Sequence, residues 1–351
     1  MENEIKQALK NWRSIVNQYQ RPDTKKAVSQ VLTSFLPFLG LWVLMYFSLH
    51  WHYSITLILS VITAFFLVRI FIIQHDCGHQ AFLKSKKWNN VLGYFSSIFS
   101  TIPYRYWARV HNAHHGHNRQ LEHRGLGDIH FLTTEEFRNR SAFGKFAYRV
   151  FRTPFVQFIM APIIYIVVSN RYPFIKLKGF TKIKWSQFFN NLSIVVIYGL
   201  LGFLLGWRQF LMVHIPVVFL FGVIAFWFFY VQHQHEHNYN QHKSDWDFLM
   251  ASIIGSTYYK LPRMFQWLSG NIGFHHIHHL NSLIPNYHLE KCALENPILN
   301  KYVNTLTFRQ SLKCMTHKLW DERQQRMITF KEYYLEKKPP EPTTLIEFSK
   351  K

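Results

Sequence analysis

Long apolar stretches alternate with polar, basic segments along the chain. Five stretches come close to the length of about 20 mostly apolar residues that a helix needs to cross a bilayer. They are residues 32–49, 55–73, 154–168, 188–206 and 210–231. A sixth stretch, 91–103, is too short and too rich in serine to cross. The pattern predicts an integral membrane protein, and a soluble protein with buried helices fits it much less well.

Lysine and arginine set the orientation of these stretches, because cytoplasmic loops carry an excess of both residues. The N-terminal segment, 1–31, is rich in them, whereas the loop 50–53 has none. We therefore predict that 32–74 forms a hairpin with both ends in the cytoplasm. The N-terminal segment lacks the apolar core and cleavage site of a signal peptide, so the first span is expected to direct insertion.

The segment 170–187 is also basic, which predicts that both ends of the stretch 154–168 are cytoplasmic. That stretch is short and contains two prolines, and we interpret it as re-entrant or interfacial. Residues 188–231 then form a second hairpin that turns at 207–209. In an alternative arrangement, 91–103 and 154–168 both cross, giving six spans.

The predicted fold class is an all-α integral membrane protein with four transmembrane helices in two hairpins. Re-entrant or interfacial helices and a cytoplasmic helical domain complete it. The predicted segments are a cytoplasmic N-terminal segment (1–31), the first transmembrane hairpin (32–74), a cytoplasmic and interfacial region (75–187), the second transmembrane hairpin (188–231), a cytoplasmic region (232–336) and a flexible tail (337–351).

The net charge of the chain limits the classes of partner that it can be expected to bind. The chain has 40 lysines and arginines against 19 acidic residues, a formal net charge of +21. Because the basic residues lie between apolar stretches, we assign this charge to an anionic membrane surface and an acidic protein partner, and not to nucleic acid. The three cysteines form no close pair, which predicts a reducing, cytosolic side without a disulfide framework.

Histidine is abundant, with 21 residues, and three clusters stand out. Residues three and four apart share one face of a helix, so each cluster can direct two or three imidazoles to one place. The clustered residues are His75 and His79 in "HDCGH", His111, His114 and His115 in "HNAHH", and His275, His278 and His279 in "HHIHH".

A further histidine follows the last span directly, in "VQHQHEHNY". We select His233 because it lies nearest the rigid span end, while the roles of His235 and His237 stay open. Nine imidazoles are too many for one tetrahedral site of about four ligands, so they predict two metal ions. They can converge only if all clusters lie on one side, which excludes six spans. Imidazole suits iron, copper, zinc and nickel alike.

Residues beside the histidines are predicted to have supporting roles. Asp76 is expected to orient an imidazole or cap a helix, and not to bind metal. Cys77 is predicted to be a small packing residue, and Gly78 to give clearance. His276 points about a third of a turn away from His275 in a helix, so we exclude it from the ligands.

These motifs, in this order around two predicted hairpins, resemble those of the membrane fatty-acid desaturase family. "HDCGHQAF" resembles the family's first histidine box, "HNAHH" its second and "GNIGFHHIHHLNSLIPNY" its third. "FYVQHQHEHNY" resembles the segment that supplies an extra histidine, here His233. The stretch "GSTYYKLPRMFQWLSGNIGFHHIHHL" is similar to bacterial acyl-lipid desaturases, the delta-5 type among them.

The resemblance implies an oxidoreductase that introduces a cis double bond into the acyl chains of membrane phospholipids, using two Fe ions and O2. It implies a multi-pass protein of the cell membrane with its active site on the cytoplasmic side. The sequence has no dinucleotide fingerprint, haem-attachment motif or iron–sulfur cysteine set, so ferredoxin or flavodoxin is expected to supply electrons. The implied catalytic and metal-binding residues are His75, His79, His111, His114, His115, His233, His275, His278 and His279.

Three rival functions share some of these sequence features. A hydroxylase or ketolase of the same superfamily shares the boxes and differs in whether oxygen stays in the product. A haem electron-transfer protein would need histidine pairs within the spans, where only His214 lies. A metal transporter would need ligands near the middle of the bilayer. The sequence leaves open the double-bond position, the acyl length, the acyl carrier (phospholipid, coenzyme A or carrier protein) and the oligomeric state.

Overall fold

The computed structural model describes residues 2–175 and 180–336, and these are predominantly helical. The predicted flexible tail, 337–351, lies outside the described residues. The first nine helices are α1 (Glu2–Ala8), α2 (Trp12–Asn17), α3 (Thr24–Ser48), α4 (Tyr53–Gly78), α5 (Lys86–Ser100), α6 (Tyr104–His117), α7 (Thr134–Arg138), α8 (Ala142–Phe151) and α9 (Ala161–Ile164). A 3-10 turn, Leu121–His123, follows α6, and π-helical turns Val156–Met160 and Tyr165–Ser169 flank α9.

The described residues of the second half of the chain form nine further helices. They are α10 (Phe180–Leu205), α11 (Trp207–His233), α12 (Phe248–Ile253), α13 (Arg263–Leu268), α14 (His275–Leu280), α15 (Asn286–Glu295), α16 (Ile298–Lys301), α17 (Phe308–Cys314) and α18 (Phe330–Glu336). Within 2–175 and 180–336 the chain also forms five short strands, which the sequence did not predict. They are β1 (Leu132–Thr133), β2 (Thr257–Tyr259), β3 (Asn304–Leu306), β4 (Leu319–Asp321) and β5 (Arg326–Ile328). β1 pairs in parallel with β4, which pairs antiparallel with β5, while β2 and β3 form a parallel pair.

Four helices among the described residues, α3, α4, α10 and α11, are long and apolar enough to cross a membrane. α3 packs on α4, α10 packs on α11, and the two pairs meet where α4 contacts α11. This confirms the predicted fold class of four spanning helices in two hairpins. α8 and the following segment Val156–Ser169 are bent by 59° relative to each other, as in a re-entrant loop or a broken span. The interpretation of 154–168 as re-entrant or interfacial stays a prediction.

The helix ends differ from the predicted limits of the apolar stretches. α3 begins at Thr24, inside the predicted N-terminal segment, because the Asp23 carboxylate accepts hydrogen bonds from the first-turn backbone N–H groups. α4 continues to Gly78, so the first histidine motif begins within a helix. The predicted turn at 207–209 is wrong: those residues begin α11, and Gly206 alone breaks the helix with a φ of 85°.

Two large buried cores hold the molecule together. One joins α3, α4 and α11 through side chains such as Phe38, Leu67 and Phe221. The other lies in the region after α11 and includes the N-terminal helices, where Leu9 is buried and Trp12 also packs. The N-terminal segment is therefore part of the core that surrounds the third histidine motif.

Candidate metal centre

Four elements bring histidines to one end of the helix bundle. α4 contributes its last turn and its C-terminal cap residue, α6 its second half, α11 its final residue and α14 most of its length. All nine predicted imidazoles are buried. Because α4 packs directly on both α6 and α11, histidines that are far apart in sequence meet in space.

The first group, the five-histidine cluster, consists of His75, His79, His111, His115 and His278. One ring nitrogen of each lies within 4.8 Å of the corresponding nitrogen of every other member. The Nε2 atom of His111 is 2.9 Å from that of His75, and the Nε2 atom of His115 is 3.1 Å from that of His278. The cluster therefore draws on α6, α14 and the C-terminal end of α4.

The second group, the four-histidine cluster, consists of His114, His233, His275 and His279. Ring nitrogens of His114, His233 and His279 lie within 4.8 Å of one another. The Nε2 atom of His275 lies 2.9 Å from that of His233 and 3.1 Å from that of His279. The two clusters adjoin, since the rings of His115 and His279 stack with centroids 4.2 Å apart.

Adjacent histidines divide between the clusters. His114 and His115 belong to different clusters, and so do His278 and His279. Successive side chains on an α-helix point about 100° apart, so a pair of neighbouring histidines serves two separate points. The H-x-x-H-H motif thereby supplies both clusters from one short helix.

The spacing of the nitrogens fits bound cations. Two nitrogens that each lie about 2.1 Å from one cation, at right angles, are about 3.0 Å apart. The Nε2 contacts within the clusters span 2.9 to 3.2 Å. The Nε2 atoms of His79 and His114 are buried and have no hydrogen-bond partner among the described residues. Each cluster therefore has the donor set for one metal ion.

Burial also sets the protonation state that metal binding needs. Removal from water, with the neighbouring imidazoles adding to it, lowers the pKa of six clustered histidines well below the ordinary value. These are His79, His111, His115, His275, His278 and His279. Burial lowers the pKa of His114 to about 4. Neutral rings keep a lone pair available for a cation at neutral pH.

Asp76 holds His75 in place. The Nδ1 atom of His75 lies 2.8 Å from Oδ1 of Asp76, and Oδ2 accepts hydrogen bonds from the backbone N (2.6 Å) and the side-chain Nδ2 (2.8 Å) of Asn286. Asn286 is the first residue of α15, so the carboxylate both orients an imidazole and caps a helix. These are the two roles that the sequence suggested for Asp76 as alternatives.

Asn112 supports His79 in the same way. Its Oδ1 lies 2.8 Å from Nδ1 of His79, and its Nδ2 donates to the backbone oxygen of Gly78 at 3.2 Å, which fixes the orientation of the amide. With Nδ1–H donating outward, Nε2 of His79 faces the cluster. Sequence reasoning missed Asn112 and Asn286, although both lie within motifs, because no local spacing pairs them with their partners.

The close approach of α4 and α6 explains the glycine in the first motif. A Cβ atom on Gly78 would lie 3.0 Å from Cβ of Ala108. The clearance that the sequence predicted at Gly78 therefore allows α6 to approach α4 closely. Cys77 is fully buried and lies outside both clusters.

The remaining histidines near the motifs have other partners. The Nε2 atom of His276 lies 3.1 Å from Oδ1 of Asn300. His235 is buried with its Nδ1 atom 2.9 Å from Nδ2 of Asn304, and His237 is exposed. Of the three histidines at the end of α11 and just beyond it, only His233 reaches a cluster.

Comparison with known proteins identifies the family. The family profile described as fatty acid desaturase matches residues 52–309. A fatty acid desaturase of Bacillus subtilis (strain 168) is 41% identical over 313 residues, which cover 89% of this chain and 88% of that protein. An sn-1 oleoyl-lipid 12-desaturase of Picosynechococcus sp. is 25% identical over 76% of this chain and 75% of its own length. An sn-1 acyl-lipid omega-3 desaturase (ferredoxin) of Nostoc sp. is 24% identical over 72% of this chain and 69% of its own length. The chain belongs to the fatty acid desaturase family.

Proposed function

We propose that this desaturase introduces a cis double bond into acyl chains of membrane phospholipids, with two iron ions, dioxygen and electrons from an external carrier. The observation that carries the proposal is the meeting of nine buried imidazoles in two clusters at one end of the spanning helices. A CH2–CH2 unit has no acidic proton and no leaving group, so side chains alone cannot desaturate it.

The five-histidine cluster would hold one iron ion and the four-histidine cluster the other. Bound iron supplies the oxygen activation that removes hydrogen from an unactivated carbon chain. One CH2–CH2 unit, one O2, two electrons and two protons become one CH=CH unit and two water molecules. Burial lowers the pKa of the seven imidazoles named above, while Asp76 orients His75 and Asn112 orients His79.

Two features support a lipid-borne substrate. The clusters lie at the ends of spanning helices α4 and α11, where a chain already in the bilayer can reach them. The printed names of the relatives from Picosynechococcus and Nostoc describe lipid-linked acyl substrates. The local resemblance to delta-5 enzymes makes that position the first to test.

The electron donor is proposed to be ferredoxin or flavodoxin. Both are small acidic proteins, and this chain carries a net charge of +21, so the charges are complementary. The relative from Nostoc is named with ferredoxin.

The proposal places the enzyme in the cell membrane with the centre on the cytoplasmic side. In the sequence, the basic segments 1–31 and 170–187 precede the first stretch of each predicted hairpin, and the histidines follow the second stretch; cytoplasmic loops are rich in lysine and arginine. The predicted segments 75–187 and 232–336 then form the cytoplasmic part.

Desaturation is tested by expression in a host that lacks polyunsaturated lipids, followed by mass-spectrometric location of new double bonds in the phospholipids. Growth under labelled dioxygen should leave no label in the acyl product. Label retained in the product contradicts desaturation and identifies a hydroxylase or ketolase. Double bonds only in coenzyme A or carrier-protein thioesters contradict a phospholipid substrate.

The roles of the histidines are tested by substitution. His111→Ala and His278→Ala should each abolish the product and lower the iron content of the purified protein, because each removes a nitrogen from the five-histidine cluster. His237→Ala is the control, since His237 is exposed outside the clusters, and it should retain product and iron. Full activity of either cluster variant contradicts the ligand assignment.

Sidedness can be measured with cysteine substitutions, because the three native cysteines are buried. Trp51 is 71% exposed in the short loop of the first hairpin, and Ser244 is exposed in the region after α11. A membrane-impermeant maleimide should label Trp51→Cys in intact cells and Ser244→Cys only after lysis. The reverse pattern would place the centre on the outer side.

A further inference from the structure

One hydrogen bond connects the clustered imidazoles to an exposed side chain. Nδ1 of His79 lies 2.8 Å from Oδ1 of Asn112, whose side chain is exposed. The equivalent atom of His75 bonds to the buried Asp76. Within residues 2–175 and 180–336, no other ring of the nine hydrogen-bonds to an exposed side chain. The exposed side chain of Asn112 is thus connected to the five-histidine cluster by one hydrogen bond, to His79.

Asn112 lies in the wall of an open pocket of about 380 Å³. Arg105, Arg109 and Lys182 also line this pocket, and none of the described residues in its wall is a carboxylate. All three cations are exposed, and none pairs with a carboxylate in the described part of the chain. Arg105 and Arg109 are four residues apart on α6, so both charges lie on one helix face. We call this surface the cationic pocket.

We propose that the cationic pocket is the docking site of the electron carrier and that electrons enter the centre through Asn112 and His79. The inference rests on the proposed function, which requires two electrons from an external protein. The partner is a small soluble protein with acidic side chains around its redox group. Two electrons pass from the carrier to the centre, one from each of two successive molecules when the carrier is ferredoxin, and no covalent bond forms or breaks.

Charge and route together favour this partner. Complementary charges steer association and set the orientation of the two proteins, and this effect weakens with salt. Electron transfer falls steeply with distance through protein, so a carrier at Asn112, one hydrogen bond away from His79, lies where transfer is fast. No other clustered imidazole has such a route among the described residues.

The phosphate of a lipid headgroup is the other candidate occupant, and the packing argues against it. Gly78 and Ala108 line the pocket on the side of α4 and α6. They pack so closely that a Cβ on Gly78 would lie 3.0 Å from Cβ of Ala108. This contact leaves no room for an acyl chain to pass between them towards the centre, whereas electrons need no opening.

The test uses the iron-loaded, full-length enzyme in lipid nanodiscs and the double variant Arg105→Glu/Arg109→Glu. Oxidation of reduced ferredoxin by the enzyme is followed by stopped-flow absorbance at several salt concentrations. The second-order rate at low salt should fall on the order of tenfold to a hundredfold, the scale of electrostatic steering. Its decline with added salt should disappear, and reduction by dithionite should stay at the wild-type rate.

The matched control is Arg309→Glu/Lys313→Glu. These two exposed cations also lie four residues apart on a helix, α17, and have no carboxylate partner in the described chain. The control makes the same change in net charge, and it should keep the wild-type rate with ferredoxin.

Three outcomes would overturn the inference. The first is a wild-type ferredoxin rate with unchanged salt dependence in the Arg105→Glu/Arg109→Glu variant. The second is an equal loss with dithionite, which would mean that these arginines act on the centre itself. The third is a raised KM for phospholipid with normal ferredoxin oxidation, which would assign the pocket to lipid phosphate. Failure of the wild-type enzyme to form double bonds even with dithionite is a separate result that counts against the proposed function.

Discussion

Single side chains decide which nitrogen of each imidazole faces the centre. A neutral imidazole has one N–H group. A side chain that accepts a hydrogen bond from this N–H fixes which nitrogen carries the proton, and the other nitrogen is then free to bind a cation. Asp76 accepts from His75, and Asn112 accepts from His79. The carboxylate of Asp76 is itself held by Asn286, so the position of one ring depends on a residue 210 positions further along the chain.

Asp76→Asn should weaken the centre while keeping the size of the side chain. Oδ1 of Asp76 faces His75 and Oδ2 faces Asn286, so an amide at this position turns its NH2 group, which cannot accept a hydrogen bond, towards one of the two. Loss of such an orienting partner lowers metal affinity or activity about 10–100-fold. Iron content and product formation measure the effect. The exposed Asp245→Asn is the control, and equal behaviour of the two variants would show that Asp76 does not orient the ligand.

Lys318 is a buried lysine whose amine has no hydrogen-bond partner among the described residues. Burial, with the charge of Arg152 adding to it, lowers its pKa from 10.5 to about 7. The native state therefore releases this proton near pH 7, while the unfolded chain keeps it up to about pH 10.5. Between these values the unfolded state binds more protons, so this residue makes the free energy of unfolding rise with pH.

Lys318→Met should remove that rise and raise the thermal unfolding temperature most below pH 7, where the native amine is charged. Thermal unfolding in detergent at pH 6.5 and pH 9.5 measures the difference. Lys313→Met is the control, because Lys313 is exposed and its amine is solvated in both states. If the wild type and Lys318→Met show the same pH dependence, Lys318 keeps its proton in the native state.

At the scale of elements, close helix contacts place the motifs. Tyr104 begins α6, and its hydroxyl donates to the backbone oxygen of Cys77 in the last turn of α4 at 2.7 Å. α5 packs over this ring at Gly93, where a Cβ would lie 2.3 Å from a carbon of the Tyr104 ring. The start of the second histidine motif is therefore held by packing between α4, α5 and α6.

Gly93→Ala should destabilise the protein by about 1–3 kcal/mol, because the added methyl group forces the Tyr104 ring to move. Gly40→Ala is the matched control: Gly40 also lies inside a helix, and a Cβ there has nothing within 4 Å. An alanine in that open position should be neutral or stabilise by up to about 1 kcal/mol. Thermal unfolding measures both variants. Equal unfolding temperatures for the two variants would mean that α5 can shift freely.

At the scale of the whole molecule, the centre joins parts of the chain that are otherwise separate. The two hairpins meet where α4 contacts α11, and α14 closes the centre from the region after α11. α1 and α2 pack against that same region, so the N-terminal segment supports the third motif. Metal bound by both clusters would therefore tie the hairpins to the rest of the chain.

Removal of metal should lower the thermal unfolding temperature by several degrees. A ligand that binds only the native state stabilises it by about 2.7 kcal/mol when its free concentration is about 100 times its Kd. The comparison is between iron-loaded protein and protein treated with a chelator, and added iron should restore the higher value. Identical unfolding temperatures would mean that the clusters do not hold metal in the folded protein.

The sequence by itself determined the number of spanning helices, their pairing into hairpins and the nine histidines that meet. These features follow from local sequence patterns, namely runs of apolar residues, asymmetric charge and histidines three or four residues apart. Tertiary structure decided how the histidines divide, since His114 and His115 are neighbours in sequence yet join different clusters. It also decided the roles of Asn112 and Asn286 and the packing of the N-terminal helices. The physical reason is that such contacts depend on how helices pack over long sequence separations, which no local spacing records.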